Sequence, residues 1–136
     1  MRNLLIIFIV SLTLARCGVK ANEPSKDINI ENLYGDWNFI YIYEGKFTKV
    51  DTTKKERLHS PHPTIKSYYK DMTSQFRGSY IENSTFKIKR KYTIHQVGNG
   101  KDKTKSIGRI LFLDSNYLLM LYKEKGKSYT YLYKKR

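Results

Sequence analysis

Ser84-Thr85-Phe86-Lys87-Ile88-Lys89-Arg90-Lys91-Tyr92-Thr93-Ile94-His95-Gln96 is the stretch whose period decides the fold class. Phe86, Ile88, Tyr92 and Ile94 fall on alternate positions, with Lys87, Lys89, Lys91 and Thr93 between them. Successive side chains of a strand point to opposite faces, so the alternation predicts one half-buried strand over residues 84–96. Gly98-Asn99-Gly100-Lys101-Asp102 ends it with turn chemistry. In this phase Arg90 shares the apolar face, and a desolvated guanidinium requires a partner. An internal acid, a tyrosine cluster or an anionic ligand would supply one. A place at a barrel rim, with the charged head reaching water, would remove the need. Arg90, Tyr92 and Phe86 are therefore the candidate ligand-binding residues. Lys87, Lys89 and Lys91 form a candidate basic stripe on the other face.

The same period recurs on both sides. Trp37, Phe39, Tyr41 and Tyr43 alternate with Asn38, Ile40 and Ile42, and Glu44-Gly45-Lys46 follows as a turn. Further strands are predicted over residues 47–50, 65–70, 74–81, 106–113, 117–123 and 128–134. In the last of them Tyr129, Tyr131 and Tyr133 share a face. Nothing after residue 30 sustains a helical period with caps. Eight short strands at even spacing predict an all-β domain, a small antiparallel up-and-down β-barrel. The one long interruption, residues 51–63, carries Pro61 and Pro63 and reads as a loop with a helical turn in its front half.

The 136 residues suffice for one domain, and an aromatic content of 14% excludes a disordered polymer. One cysteine excludes an internal disulfide. The net charge of +14 would suit nucleic acid, but the first residues argue against that partner. Arg2 precedes an apolar run from Leu4 to Leu14, too short to span a bilayer and of the length of an export signal. Removing residues 1–16 takes away Arg2 and Arg16 and no acid, so the remainder stays basic. Outside the cytoplasm the acidic partners on offer are lipid headgroups, glycans and acidic proteins.

Leu14-Ala15-Arg16-Cys17 resembles a bacterial lipoprotein signal, in which the lipid is attached to the cysteine. The resemblance implies a signal over residues 1–17, lipidation at Cys17 and a membrane-anchored envelope protein. Arg16 stands where that signal normally has a small residue. Val19-Lys20-Ala21 fits ordinary signal cleavage, which would release a soluble chain starting at Asn22. Residues 18–32 read as a tether, with Pro24 and no period. Leu33-Tyr34-Gly35-Asp36-Trp37 then has the Gly-x-Trp that opens the first strand of lipocalins. Together with the tyrosine-rich last strand, residues 33–136 resemble small bacterial lipocalin-like lipoproteins. The resemblance makes Gly35 and Trp37 a structural barrel signature. It also implies a closing cation over the Trp ring, for which Lys134, Lys135 and Arg136 are the candidates.

Catalytic chemistry finds no support: there is no Gly-x-Ser-x-Gly, no phosphate loop, and the carboxylates fall at predicted turns. His59, His62 and His95 lack the further ligands of a metal site and read as solvated loop or strand-end residues. The expected protein is thus a monomeric non-enzyme with no metal and no cofactor. Two functions remain. One is a lipid-anchored envelope protein holding a small hydrophobic or amphipathic ligand. The other is a filled barrel that binds an acidic protein or glycan through its basic face. A cavity of about 300 Å³ or more would favour the first; a closed interior with a contiguous lysine patch would favour the second.

Overall fold

Eight antiparallel strands close into a barrel in sequence order, with β1 hydrogen-bonded to β8. The computed structural model describes residues 28–55 and 63–136. The strands are β1 (Gly35–Glu44), β2 (Ile65–Tyr68), β3 (Thr73–Arg77), β4 (Ile81–Lys89), β5 (Thr93–Gly98), β6 (Lys105–Leu113), β7 (Tyr117–Glu124) and β8 (Lys127–Lys135). The up-and-down barrel expected from the period is therefore present. The count of eight is reached by a different division of the chain. Residues 47–50 form no strand, and the stretch 84–96 is not one strand but parts of two. Arg90–Tyr92 is a tight turn, and Lys89 pairs with Thr93 across it. The predicted strand 74–81 is likewise cut by the bend at residues 78–80.

One end of the barrel is plugged. A 3-10 turn, Ile30–Leu33, precedes β1, and the Asn29 side chain caps it by accepting from the Glu31 amide. Ile28 and Leu33 are buried against Trp37, Leu113 and Leu118. The barrel domain thus begins by Ile28, and the predicted tether is shorter than residues 18–32. Above the plug the interior is filled by Phe86, Ile94, Ile110, Met120 and Tyr133.

Two bulges break the alternation. The registers slip between Phe39 and Tyr41 and between Ile110 and Phe112. An extra residue in one strand turns two consecutive side chains to the same face. Phe39 pairs with Tyr133 on the inner face, but Tyr41 pairs with Leu132 on the outer one. Trp37, Phe39, Tyr41 and Tyr43 therefore do not share a face, contrary to the period. Ile40 and Leu111, the bulged residues, join Leu119 and Leu132 in a second core outside the barrel. Val50, Tyr41 and Tyr43 cover it. The covering segment is fastened at Thr130, whose hydroxyl donates to the Gly45 carbonyl at 2.7 Å and accepts from the Phe47 amide at 3.0 Å. This return over the outer face is why residues 47–50 are not a strand.

Candidate functional site

Gly35 and Trp37 meet a cation from the far end of the chain. Trp37 is fully buried and its Nε1 donates to the Leu33 carbonyl at 2.7 Å. Lys135 Nζ lies 4.3 Å from the Trp37 ring centroid and donates to the carbonyls of Asn32 at 2.8 Å and Tyr34 at 2.5 Å. Of the three candidates for the closing cation, Lys135 holds the place. Burial lowers the pKa of its ammonium below the ordinary lysine value, against an opposing pull from Asp36. Gly35 has φ +122°, and a Cβ there would stand 3.1 Å from Lys135 Nζ. Both backbone and space call for glycine. This cluster locks the plugged end and offers nothing to a ligand.

The inner wall above it does. Lys66 pairs with Trp37 across β1 and β2, Tyr68 pairs with Ser74, and Ser74 with Ser84. Tyr68, Ser74 and Ser84 expose only 1%, 2% and 1% of their surface. Neither serine hydroxyl has a hydrogen-bond partner, while the Tyr68 hydroxyl stands beside that of Tyr122. Leaving a buried hydroxyl unpaired costs about 1–3 kcal/mol each. The wall is thus short of polar partners on two adjacent strands, β3 and β4. Lys66 Nζ lies 5.6 Å from the Tyr68 ring and 5.8 Å from the Tyr122 ring. Among the described residues no acid forms an ion pair with Lys66; the three ion pairs are Lys70–Glu31, Arg77–Asp36 and Lys127–Glu44. The ring of Tyr68 stands edge-on to Phe86 at 5.3 Å, and that of Tyr122 edge-on to Tyr131 at 5.0 Å. Burial pushes the Tyr68 and Tyr133 phenols well above the ordinary tyrosine range, and Tyr122 beside both adds to the shift. Tyr131 is pushed up to about 12, by burial first and then by Glu124, to which its hydroxyl donates. At neutral pH these phenols are donors, not anions.

The barrel wall opens at one seam. β6 and β7 pair only as far as Gly108 and Tyr122; beyond that, residues 105–107 bond to β5 and Glu124 to β8. A cavity of about 720 Å³ occupies this unzipped seam, with Tyr122 in its lining beside Ile107, Arg109 and Leu121. Arg109 Nε is buried there without a partner. The cavity is at the seam; the depth of the barrel below it is packed.

The residues predicted for the site are dispersed. Phe86 is buried on the inner face as expected. Tyr92 is half-buried against the same core, from the turn. Arg90 is exposed in that turn and not on the inner face, so it does not line the interior. The cause is local: Ile88 pairs directly with Ile94, and the chain reverses between them. Lys87 and Lys89 are exposed on β4, but Lys91 sits in the turn with φ +56°, so the three do not form one stripe. His95 pairs with Lys87 and Ile107. His59, His62 and Cys17 lie outside the described residues. Among the described residues no group of three His, Cys, Asp or Glu is placed to hold a metal. The interior lysine was legible in principle: alternation through Ile65-Lys66-Ser67-Tyr68 puts Lys66 on the face of Tyr68. Ser74 and Ser84 carried no signal. Comparison with protein-family models, curated proteins and solved structures gives no match.

Proposed function

We propose that the chain is an exported, lipid-anchored, lipocalin-like envelope protein that binds a small amphipathic anion. One observation carries this reading: the buried, unpartnered hydroxyls of Ser74 and Ser84 lie on the strands next to Tyr68, whose ring faces Lys66, and among the described residues no acid pairs with that lysine. A carboxylate or similar head accepts hydrogen bonds from Tyr68, Ser74 and Ser84 and gains the charge of Lys66. The aromatic rings of Phe86, Tyr122 and Tyr131 suit its apolar part, and the β6–β7 seam serves as the entrance. The role first assigned to Arg90 passes to Lys66.

The test is displacement of a fluorescent fatty-acid probe at neutral pH. Lys66→Met keeps most of the side-chain bulk and removes the charge, and is expected to weaken binding more than tenfold, about 1.4 kcal/mol. Arg90→Met, in the exposed turn, is expected to bind as the wild type does. A wild type that binds no probe, or a Lys66→Met protein that binds it equally, overturns the reading. The address is tested separately. Metabolic labelling with a fatty-acid analogue is expected to tag the wild type and not Cys17→Ser, and recovery of unlabelled chain beginning at Asn22 would replace anchoring with soluble export.

A further inference from the structure

The plugged end carries a second feature, on the outer surface. A groove of about 550 Å³ runs between the last residues of β8 and the segment before residue 56. Among the described residues its lining includes five cations, Lys54, Lys55, Lys134, Lys135 and Arg136, and no acid. Lys135 is committed to Trp37 and two carbonyls. Lys54 lies over the Tyr41 ring at 4.5 Å. Lys55, Lys134 and Arg136 are exposed, and none of them is in an ion pair among the described residues. The β4–β5 turn brings Lys89, Arg90 and Lys91 to the same end of the barrel, all exposed.

Two of the described acids of this end are held in ion pairs. Glu31 pairs with Lys70 at 3.0 Å. Asp36 accepts from Ser67 at 2.5 Å and from Arg77 at 3.2 Å. Asp71 accepts from Thr73, and Asp114 from the amides of Asn116 and Tyr117. Asp51, Asp71 and Asp114 have neutral hydrogen-bond partners and keep their charge, but the exposed cations Lys55, Lys89, Arg90, Lys91, Lys134 and Arg136 outnumber them from the groove to the far turn. Such a layout matches an extended anionic plane better than one peptide or one small anion. The chain's own path agrees. Ile28 and the turn Ile30–Leu33 form the plug. Whatever precedes residue 28 is therefore joined at this end, and in the sequence that includes the export-type apolar run.

We infer that the plugged end is a docking face for an anionic lipid bilayer, with the groove of Lys54, Lys55, Lys134 and Arg136 seating headgroup phosphates. The inference is independent of ligand binding in the interior. Lysine and arginine near an anionic membrane surface each contribute attraction that falls off within a Debye length. Tyr117, in the groove floor, is a residue type suited to the headgroup level.

The test uses residues 22–136. All eight strands pair with both neighbours inside that span, so it retains the whole ring. Binding to phosphatidylcholine vesicles with and without phosphatidylglycerol is measured by sedimentation at about 0.1 M salt, where the Debye length is about 10 Å. The expected result is a strong preference for the anionic vesicles. The combined variant Lys54→Ala, Lys55→Ala, Lys134→Ala, Arg136→Ala is expected to bind them roughly a hundredfold more weakly. A charge-matched control at the opposite end, Lys101→Ala, Lys103→Ala, Lys123→Ala, Lys125→Ala, is expected to lose less than about threefold, being held farther from the surface than a Debye length. Matching thermal melts of the three proteins show that folding is not the cause. Equal losses in both variants would reduce the effect to net charge and overturn the docking face. Competition by inorganic phosphate at matched ionic strength would make the groove a small-anion site instead. Groove-dependent binding to polyglutamate, with none to vesicles, would assign it to an acidic protein.

Discussion

A Trp37→Ala protein is expected to lose about 3–5 kcal/mol of stability, the usual cost of deleting a buried large aromatic. The position explains why the upper part of that range applies. The indole is fully buried among Leu33, Leu113 and Leu118 at the plugged end. Removing it deprives the Leu33 carbonyl of its donor at 2.7 Å. It also takes away the ring beneath Lys135, whose ammonium is already partly desolvated. One residue therefore loses packing, a buried hydrogen bond and a cation–π contact together. Trp37→Phe keeps a ring and loses the donor, and is expected to fall between the wild type and Trp37→Ala. Because the chain has a single Trp, unfolding is followed by circular dichroism in urea rather than by tryptophan fluorescence. A Trp37→Ala midpoint equal to the wild type would show that the plug does not hold the barrel together.

Leu132→Ala is the second large effect, at about 2–5 kcal/mol. On the period alone this substitution is harmless, because Leu132 faces away from Tyr131 and Tyr133. In the structure it is fully buried, packed with Ile40, Leu111 and Leu119 beneath the returning segment that Thr130 fastens. Lys134→Ala, two residues on and exposed, is the control and is expected to stay within about 0.5 kcal/mol of the wild type. Similar urea midpoints for the two variants would mean that the outer core contributes nothing to stability.

The candidate site was only partly readable in advance. The strand period put Phe86 on the inner face, and the same argument reaches Lys66 once Tyr68 is seen to be inside. It failed at Arg90 because the turn carries none of the usual residues. A tight hairpin turn that needs positive φ normally uses Gly, Asn or Asp. Here Lys91 and Tyr92 take φ +56° and +53°. The pairing of Ile88 with Ile94, and the burial of Phe86 and Ile94 that goes with it, overrides the local preference. Ser74 and Ser84 belong to the site through the register of three strands, which no single segment encodes.

The sequence by itself determined the all-β class and the shared face of the last strand's tyrosines, and a resemblance to the lipocalin Gly-x-Trp pointed to Gly35 and Trp37 as the barrel start. The first two rest on local physics: side-chain alternation and turn residues at strand ends. Tertiary structure alone decided where the period breaks. The bulges at Ile40 and Leu111 turn apolar side chains outward, and only the returning segment makes their burial possible. Tertiary structure also chose Lys135 over Lys134 and Arg136 as the cation on Trp37, because closure of β1 on β8 pairs Trp37 with Lys135. Alternation is a property of one strand, whereas bulges, closure and register follow from how eight strands fit around one filled interior.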